Sequence, residues 1–289
     1  MMQKNRKGII LAGGTGSRLY PSTKSISKQL LPVYDKPLIY YPLALLLNYK
    51  IKEILIIVTE ENLRLFKNLL GDGSNFGVSI SFKIQKEPKG IAEALILAED
   101  FLDGAKSILL LGDNIFYGAN LNQLLQKADK NKGATVFSYK VTDPQRFGIV
   151  EFDKKNNVKS IQEKPKKPKS PYAVVGLYFY DNNASEYVKS LKPSNRGELE
   201  ITDLNKMYLE KGLLNNLSLG EGYAWFDTGT PDSMLSASNF IQTIEKNQGI
   251  KIACLEEIAH NRGLISNTSL KKALKNNKDD YSKYIFEKL

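Results

Sequence analysis

A chain of 289 residues with 42% hydrophobic side chains is long enough to bury one large α/β core or two smaller ones. The single cysteine, Cys254, excludes an intrachain disulfide, and the single histidine, His260, leaves histidine-rich metal sites and Cys–His nucleophilic pairs without their residues. No apolar run approaches the roughly 20 residues that span a bilayer, and MMQKNRKG leads straight into an apolar run, so a cytoplasmic protein working through carboxylates, lysines and arginines is expected.

The first predicted strand, Gly8–Leu11, opens into Ala12-Gly13-Gly14-Thr15-Gly16-Ser17-Arg18-Leu19. Three glycines let the main chain come close to a ligand and aim N–H groups at it, which suits phosphate. Leu19 stands where a Rossmann fingerprint wants its third glycine, and no Gly-Lys-Ser/Thr triplet makes a Walker loop. Arg18 offers a planar fork to phosphate oxygens, and Lys24 and Lys28 add mobile charges. A solvated surface turn is the plain alternative.

Strands are then predicted over Glu53–Thr59, Ser79–Gln85, Ser107–Gly112 and Ala134–Val141, alternating with helices near Leu38–Tyr49, Glu61–Leu70, Ile91–Leu102 and Leu121–Asn131. Strands this apolar, alternating with helices, imply an α/β fold with a mostly parallel central sheet covered by helices, whose ligands bind at the carboxyl ends of strands. That gathers the glycine loop, the segment after Gln85 and the segment after Leu111. Gln85 supplies an amide able to read a nucleobase edge, and Gly90 permits close approach to the following helix. Asp113 ends a buried strand, where a carboxylate serves as a Mg²⁺ ligand or as a simple turn residue.

After Val141 the rhythm changes. Phe147–Phe152 and Val158–Glu163 flank the turn formers Asp153–Asn157 as a hairpin; Tyr172–Tyr180 is a strand, a helix lies near Asn183–Leu191, and Arg196–Asp203 opens another. Strands Leu214–Leu219 and Tyr223–Phe226 lead to a second strand-end aspartate, Asp227, and a long helix from Thr230 to Gln248 with Pro231 in its first turn. Short lysine-rich helices follow, with the apolar residues Leu270, Leu274, Tyr284 and Ile285 needing a surface on the chain itself or on another subunit.

The run LAGGTGSRLYPSTKSISKQLLPVYDKPLIYYPL resembles the signature of the sugar nucleotidyltransferases, most closely the glucose-1-phosphate thymidylyltransferases, and the likeness extends from Gly8 to at least Ile258. It implies a Rossmann-like nucleotidyltransferase domain over residues 1–249, its nucleotide-binding part about 1–141 and its sugar-binding, β-rich part about 142–249, and a C-terminal helical segment, 250–289, for oligomer contacts and a regulatory nucleotide site. The implied reaction is Mg²⁺-dependent: dTTP and α-D-glucose 1-phosphate give dTDP-glucose and pyrophosphate, a first step toward dTDP-sugars such as dTDP-L-rhamnose, in a homotetramer. Gly8, Leu11, Gly13, Gly14, Thr15, Gly16, Arg18, Lys28, Gln85 and Gly90 would then hold the nucleotide, with Gln85 and Gly90 reading thymine. Gly148, Glu163, Lys164, Val174 and Tyr178 would hold the sugar phosphate, Lys164 its phosphate, while Asp113 and Asp227 would carry the metal. The sequence departs from the family pattern at Glu93, where glutamine is common, and at Phe147, Val175 and Pro231.

Alternatives are a related pyrophosphorylase using UTP or another sugar 1-phosphate, a glycosyltransferase, and, given a net charge of +10, a basic nucleic-acid-binding protein. The glycosyltransferase should show Asp-x-Asp where this chain has Asp113-Asn114-Ile115, and no recognised nucleic-acid motif accompanies the positive charge. Neither nucleic acid nor membrane is an expected partner.

Overall fold

The computed structural model describes residues 6–274 and 279–288; the expected start of the chain (1–5) and parts of the expected C-terminal segment (275–278 and 289) lie outside the described residues. In chain order the elements are β1 (Lys7–Ala12), β2 (Pro32–Val33), β3 (Lys36–Pro37), α1 (Tyr40–Asn48), β4 (Glu53–Val58), α2 (Glu60–Leu70), β5 (Ser79–Ile84), α3 (Glu93–Leu97), α4 (Glu99–Leu102) and β6 (Ser107–Leu111). There follow β7 (Asn114–Tyr117), α5 (Leu121–Lys130), β8 (Ala134–Lys140), β9 (Gly148–Phe152), β10 (Val158–Glu163), β11 (Tyr172–Tyr180), α6 (Ala184–Lys189), α7 (Ile201–Glu210), β12 (Leu214–Leu219) and β13 (Ala224–Asp227). Four helices close the chain: α8 (Pro231–Gln248), α9 (Leu255–Asn261), α10 (Asn267–Leu274) and α11 (Asp280–Glu287).

The expected parallel sheet is the block β6-β1-β4-β5, in which Ile9 of β1 sits beside Leu55 of β4 and Leu109 of β6. These strands are apolar on both faces because both faces are covered. One carries α1, buried from Tyr41 through Leu47, against Ile10, Ile56 and Leu110; the other carries α3, α6 and α7 against Ile9, Leu55 and Leu109. Burial of this kind stabilises by roughly 1.5–3 kcal/mol for each large apolar side chain.

The second half extends the same sheet. β11 runs antiparallel to β6, β8 and β9, the β9–β10 hairpin is antiparallel, and β12 pairs parallel with β8, so this part is β-rich as expected. Helix α8 starts at a capping box between Thr230 and Ser233 with Pro231 in the first turn, and stops at Gly249, whose φ of 63° takes the left-handed form. In the C-terminal helices, Leu270, Leu274 and Ile285 bury against Cys254, with Ile265, Tyr281 and Tyr284 around them, so these apolar residues find much of their surface among themselves. His260 lies in α9.

Three local expectations change. The helix expected over Ile91–Leu102 is divided at Ala98, whose φ/ψ of −89°/−1° opens the turn. The helix expected from Arg196 begins only at Ile201, because Arg196 and Ser194 spend their polar groups on the Glu200 carboxylate before the first turn. The strand near Tyr223–Phe226 does not join the main sheet: it pairs with β7, a strand not foreseen, in a separate two-stranded ribbon that places Asp227 opposite Asn114.

Candidate active site

The turn bearing Arg18, the carboxyl ends of β6 and β10, the β7–β13 ribbon, the middle of β11 and the starts of β9 and α7 surround a cavity of about 250 Å³. Arg18, Asp113, Gly148, Glu163, Lys164, Val174, Tyr178 and Asp227 all line it. Two more expected groups adjoin it: Lys28 is ion-paired with Asp113, and Leu11 accepts the Gly112 N–H at 2.9 Å through its carbonyl.

The two aspartates are brought together by the ribbon. Asp227 stands across from Asn114, and Thr228 donates to the Asp113 carbonyl through its N–H (3.1 Å) and its hydroxyl (2.8 Å). Burial opposes ionisation of Asp113, but the Lys28 ammonium and the Asn114 amide, which donates to Asp113 Oδ1 at 2.9 Å, outweigh it and hold the carboxyl below its ordinary value. Asp227 goes the other way: burial and the neighbouring Asp113 charge push it up, against the pull of Arg18, Lys28 and Arg146. The donor set is all carboxylate oxygen, and the strain at Asp227 is what a hard divalent cation shared with phosphate would relieve, so the residues fit Mg²⁺.

Arg18 lies in the turn after the glycine loop, its guanidinium so close over Gly229 that a Cβ there would be 2.5 Å from Nη2. Glycine at 229 therefore lets Arg18 reach the Asp227 side of the cavity. On the opposite wall Glu163 and Lys164, neighbours at a strand end, both face inward. Lys164 adopts φ 40°, a left-handed turn that cancels the alternation of side chains and leaves its Nζ 3.7 Å from Glu163 Oε1. Thr202 donates to Glu163 Oε2 at 2.6 Å, and burial, reinforced by Glu163 and Asp113, raises the pKa of Tyr178, keeping its hydroxyl a neutral donor.

Gln85, at the end of β5, is buried and lies against Gly13, while Gly90 (φ 103°) packs on the Leu199 backbone. There Leu199 N–H donates to the Lys89 carbonyl (2.7 Å) and Ala92 N–H to the Leu199 carbonyl (3.2 Å), joining the segment after Gln85 to the one preceding α7. Gly14 and Thr15 are exposed on the loop, and Gly16 turns it with φ 64°. Gly8 sits in the body of β1 under Leu46 and Ile51, where a side chain would not fit.

Four residues escaped the sequence reading. Arg146 lines the cavity with a guanidinium nitrogen 3.8 Å from Asp227 and its plane near Phe147. Asn114 is a buried junction, accepting from Trp225 Nε1 (2.6 Å) and Gly176 N–H (3.1 Å) while donating to Asp113. Thr202 and Arg196, whose guanidinium comes within 3.5 Å of Glu163, sit in a stretch legible only as a helix start.

Other cavities lie apart, among them one of about 440 Å³ lined by Lys83, Lys86, Lys89, Glu93 and Leu97. A hollow of about 770 Å³ runs along edge strand β5 and α2, larger than the site; Leu63, Ile80, Phe82 and Ile84 line it together with Lys67, Asp72 and Lys83, and it shares no lining residue with the aspartate cavity. Another, about 240 Å³, lies between α1, β7 and α9, where Arg262 donates to Asn48 Oδ1 at 2.9 Å. Among the described residues no helix is long and apolar enough to cross a membrane.

Residues 7–244 match the family model described as nucleotidyl transferase. The chain is 55% identical, over 97% of its length and 96% of the relative's, to a glucose-1-phosphate thymidylyltransferase of Xanthomonas campestris pv. campestris, and 54% identical, over 98% and 99%, to that of Neisseria meningitidis serogroup A. Among solved structures it is similar to a Bacillus anthracis protein assigned as a glucose-1-phosphate thymidylyltransferase and crystallised with a sucrose, at a TM-score of 0.76 and 44% identity, covering 82% of this chain and 95% of that one. A UDP-glucose pyrophosphorylase in complex with UDP-glucose shares the fold at a TM-score of 0.74 and 23% identity, covering 83% of this chain and 99% of that one.

Proposed function

We propose, from the premise that the chain belongs to the nucleotidyl transferase family and within it to the glucose-1-phosphate thymidylyltransferases, that it converts dTTP and α-D-glucose 1-phosphate into dTDP-glucose and pyrophosphate. An oxygen of the sugar phosphate attacks the α-phosphorus of dTTP, and the bond from that phosphorus to the pyrophosphate breaks. The attacking group is already anionic at neutral pH, so alignment and charge neutralisation dominate over proton transfer. The observation that carries this reading is that Arg18, Lys28, Asp113, Asp227, Glu163 and Lys164 meet around one cleft.

Arg18 and Lys28 steady the triphosphate and then the leaving pyrophosphate. Lys164 orients the attacking phosphate, and Glu163, held by Thr202, accepts from sugar hydroxyls. Gln85 and Gly90 take the base, and Gly148, Val174 and Tyr178 shape the sugar pocket. Asp113 and Asp227 would hold Mg²⁺, which when bound neutralises charge on the phosphates.

The finer parts of the reading are a homotetramer using the C-terminal segment, a regulatory nucleotide in the cavity beside Arg262, a cytoplasmic location and a place at the start of dTDP-sugar synthesis, such as that of dTDP-L-rhamnose. Pyrophosphate release measured with dTTP and UTP, each against glucose 1-phosphate and an amino-sugar analogue, tests the reaction. Release fastest with dTTP and glucose 1-phosphate is expected; a clear preference for UTP or for the amino sugar overturns the substrate assignment.

A further inference from the structure

The base-side amide of Gln85 has a partner that the proposed reaction does not use. Gln85 Nε2 donates to Glu93 Oε2 at 2.7 Å, and the same carboxylate oxygen accepts the Lys89 N–H at 3.2 Å. Gln85 is only 4% exposed, and its other terminal atom, Oε1, lies against Gly13: a Cβ on that glycine would be 2.2 Å away. Among the described residues no hydrogen bond to this oxygen is found.

The chemistry of the pair is directional. A carboxylate only accepts, so the amide nitrogen must face Glu93, and the carbonyl oxygen must face the glycine loop. An amide free to flip would present either atom at little cost. Here the flip would set oxygen against oxygen at Glu93 and remove the hydrogen bond.

We infer that Glu93 is a positioning residue that locks Gln85 with its acceptor toward the base, so that the site selects pyrimidines carrying a ring N3–H over those carrying a bare N3. Thymine and uracil present that N–H between two carbonyls, whereas cytosine presents a lone pair at the same ring position. The lock therefore separates dTTP and UTP together from dCTP, and contributes nothing to the choice between thymine and uracil. The inference rests on the base-side reading of Gln85 and names what holds that residue in one orientation. A buried acceptor left facing another acceptor is the device by which polar sites reject a near-isostere.

The test compares the wild-type chain with E93M, which keeps the length of the side chain without its acceptor, and with E93Q, which retains one. The specificity constant, kcat/KM, for pyrophosphate release is measured with dTTP, UTP and dCTP, alongside equilibrium binding of the same three nucleotides. In E93M the preference for dTTP over dCTP is expected to fall about tenfold, the order of one orienting hydrogen bond, with dCTP gaining in absolute terms and the dTTP-to-UTP ratio held. E93Q should restore most of the preference. An unchanged dTTP-to-dCTP ratio in a folded E93M, or equal losses with all three nucleotides, overturns the inference. Failure of the wild type to turn over dTTP would instead defeat the reaction proposed above, and the binding ratios would still decide the role of Glu93.

Discussion

Lys28 Nζ and Asp113 Oδ2, 85 residues apart in the chain, form an ion pair whose side chains are 12% and 14% exposed. A buried pair of this kind is costly to break by halves, because the remaining charge is left without a partner. Lys28→Met should lower the unfolding free energy by about 3 kcal/mol at neutral pH, read by urea denaturation. The pH dependence should also change sign. In the wild type, Asp113 is held below its ordinary value, so its contribution is present above the unfolded carboxyl pKa and lost as pH falls through the lower folded value. Without Lys28, burial raises the folded value, and the variant should instead weaken as pH rises through it.

Asp227 is the strained member of the site. Burial and Asp113 raise its proton affinity in the folded chain, so its favourable contribution lies at low pH and is lost as pH rises through the raised value. Asp227→Asn should therefore raise the melting temperature at neutral pH while lowering kcat by about 100-fold and flattening the response to Mg²⁺. Thermal unfolding and a metal titration of turnover check the two halves; a normal metal titration would remove Asp227 from the cation site.

Arg18 is exposed and lies over Gly229 without supporting the core. Replacing it with alanine should leave the circular dichroism spectrum and stability within about 0.5 kcal/mol of wild type. The specificity constant should drop by about 10²–10³. Near-normal turnover would take the glycine loop out of the mechanism.

Thr202 acts through Glu163. Thr202→Val removes the 2.6 Å hydrogen bond to the carboxylate, worth about 1 kcal/mol. KM for glucose 1-phosphate should rise about fivefold with KM for dTTP unchanged. Equal changes in both would place Thr202 outside the sugar pocket.

The parallel block was legible because β1, β4 and β6 write their burial as unbroken apolar runs, and the aspartates because each follows such a run or an aromatic one. The ribbon that joins those aspartates was not: β7 spans only Asn114–Tyr117 and follows β6 after just Gly112 and Asp113, too short and too close to read as a strand of its own. Lys164 shows the limit of strand alternation. Pro165 disfavours the right-handed helical region at the preceding residue, but nothing in the chain announces a left-handed one. Arg146 carries no local mark that separates it from the other 40 lysines and arginines; only the fold, by setting it beside Asp227, does so.

The seam between residues 89–92 and Leu199 is sewn entirely with main-chain atoms. Its one intolerant position is Gly90, where φ is 103° and an added Cβ would lie 2.4 Å from the Leu199 carbonyl oxygen, so a side chain there would force the nucleotide flank away from the sugar flank. Deleting an amide hydrogen unpicks the seam as well, so Leu199→Pro would loosen two substrate pockets at once without altering a single group that touches either molecule.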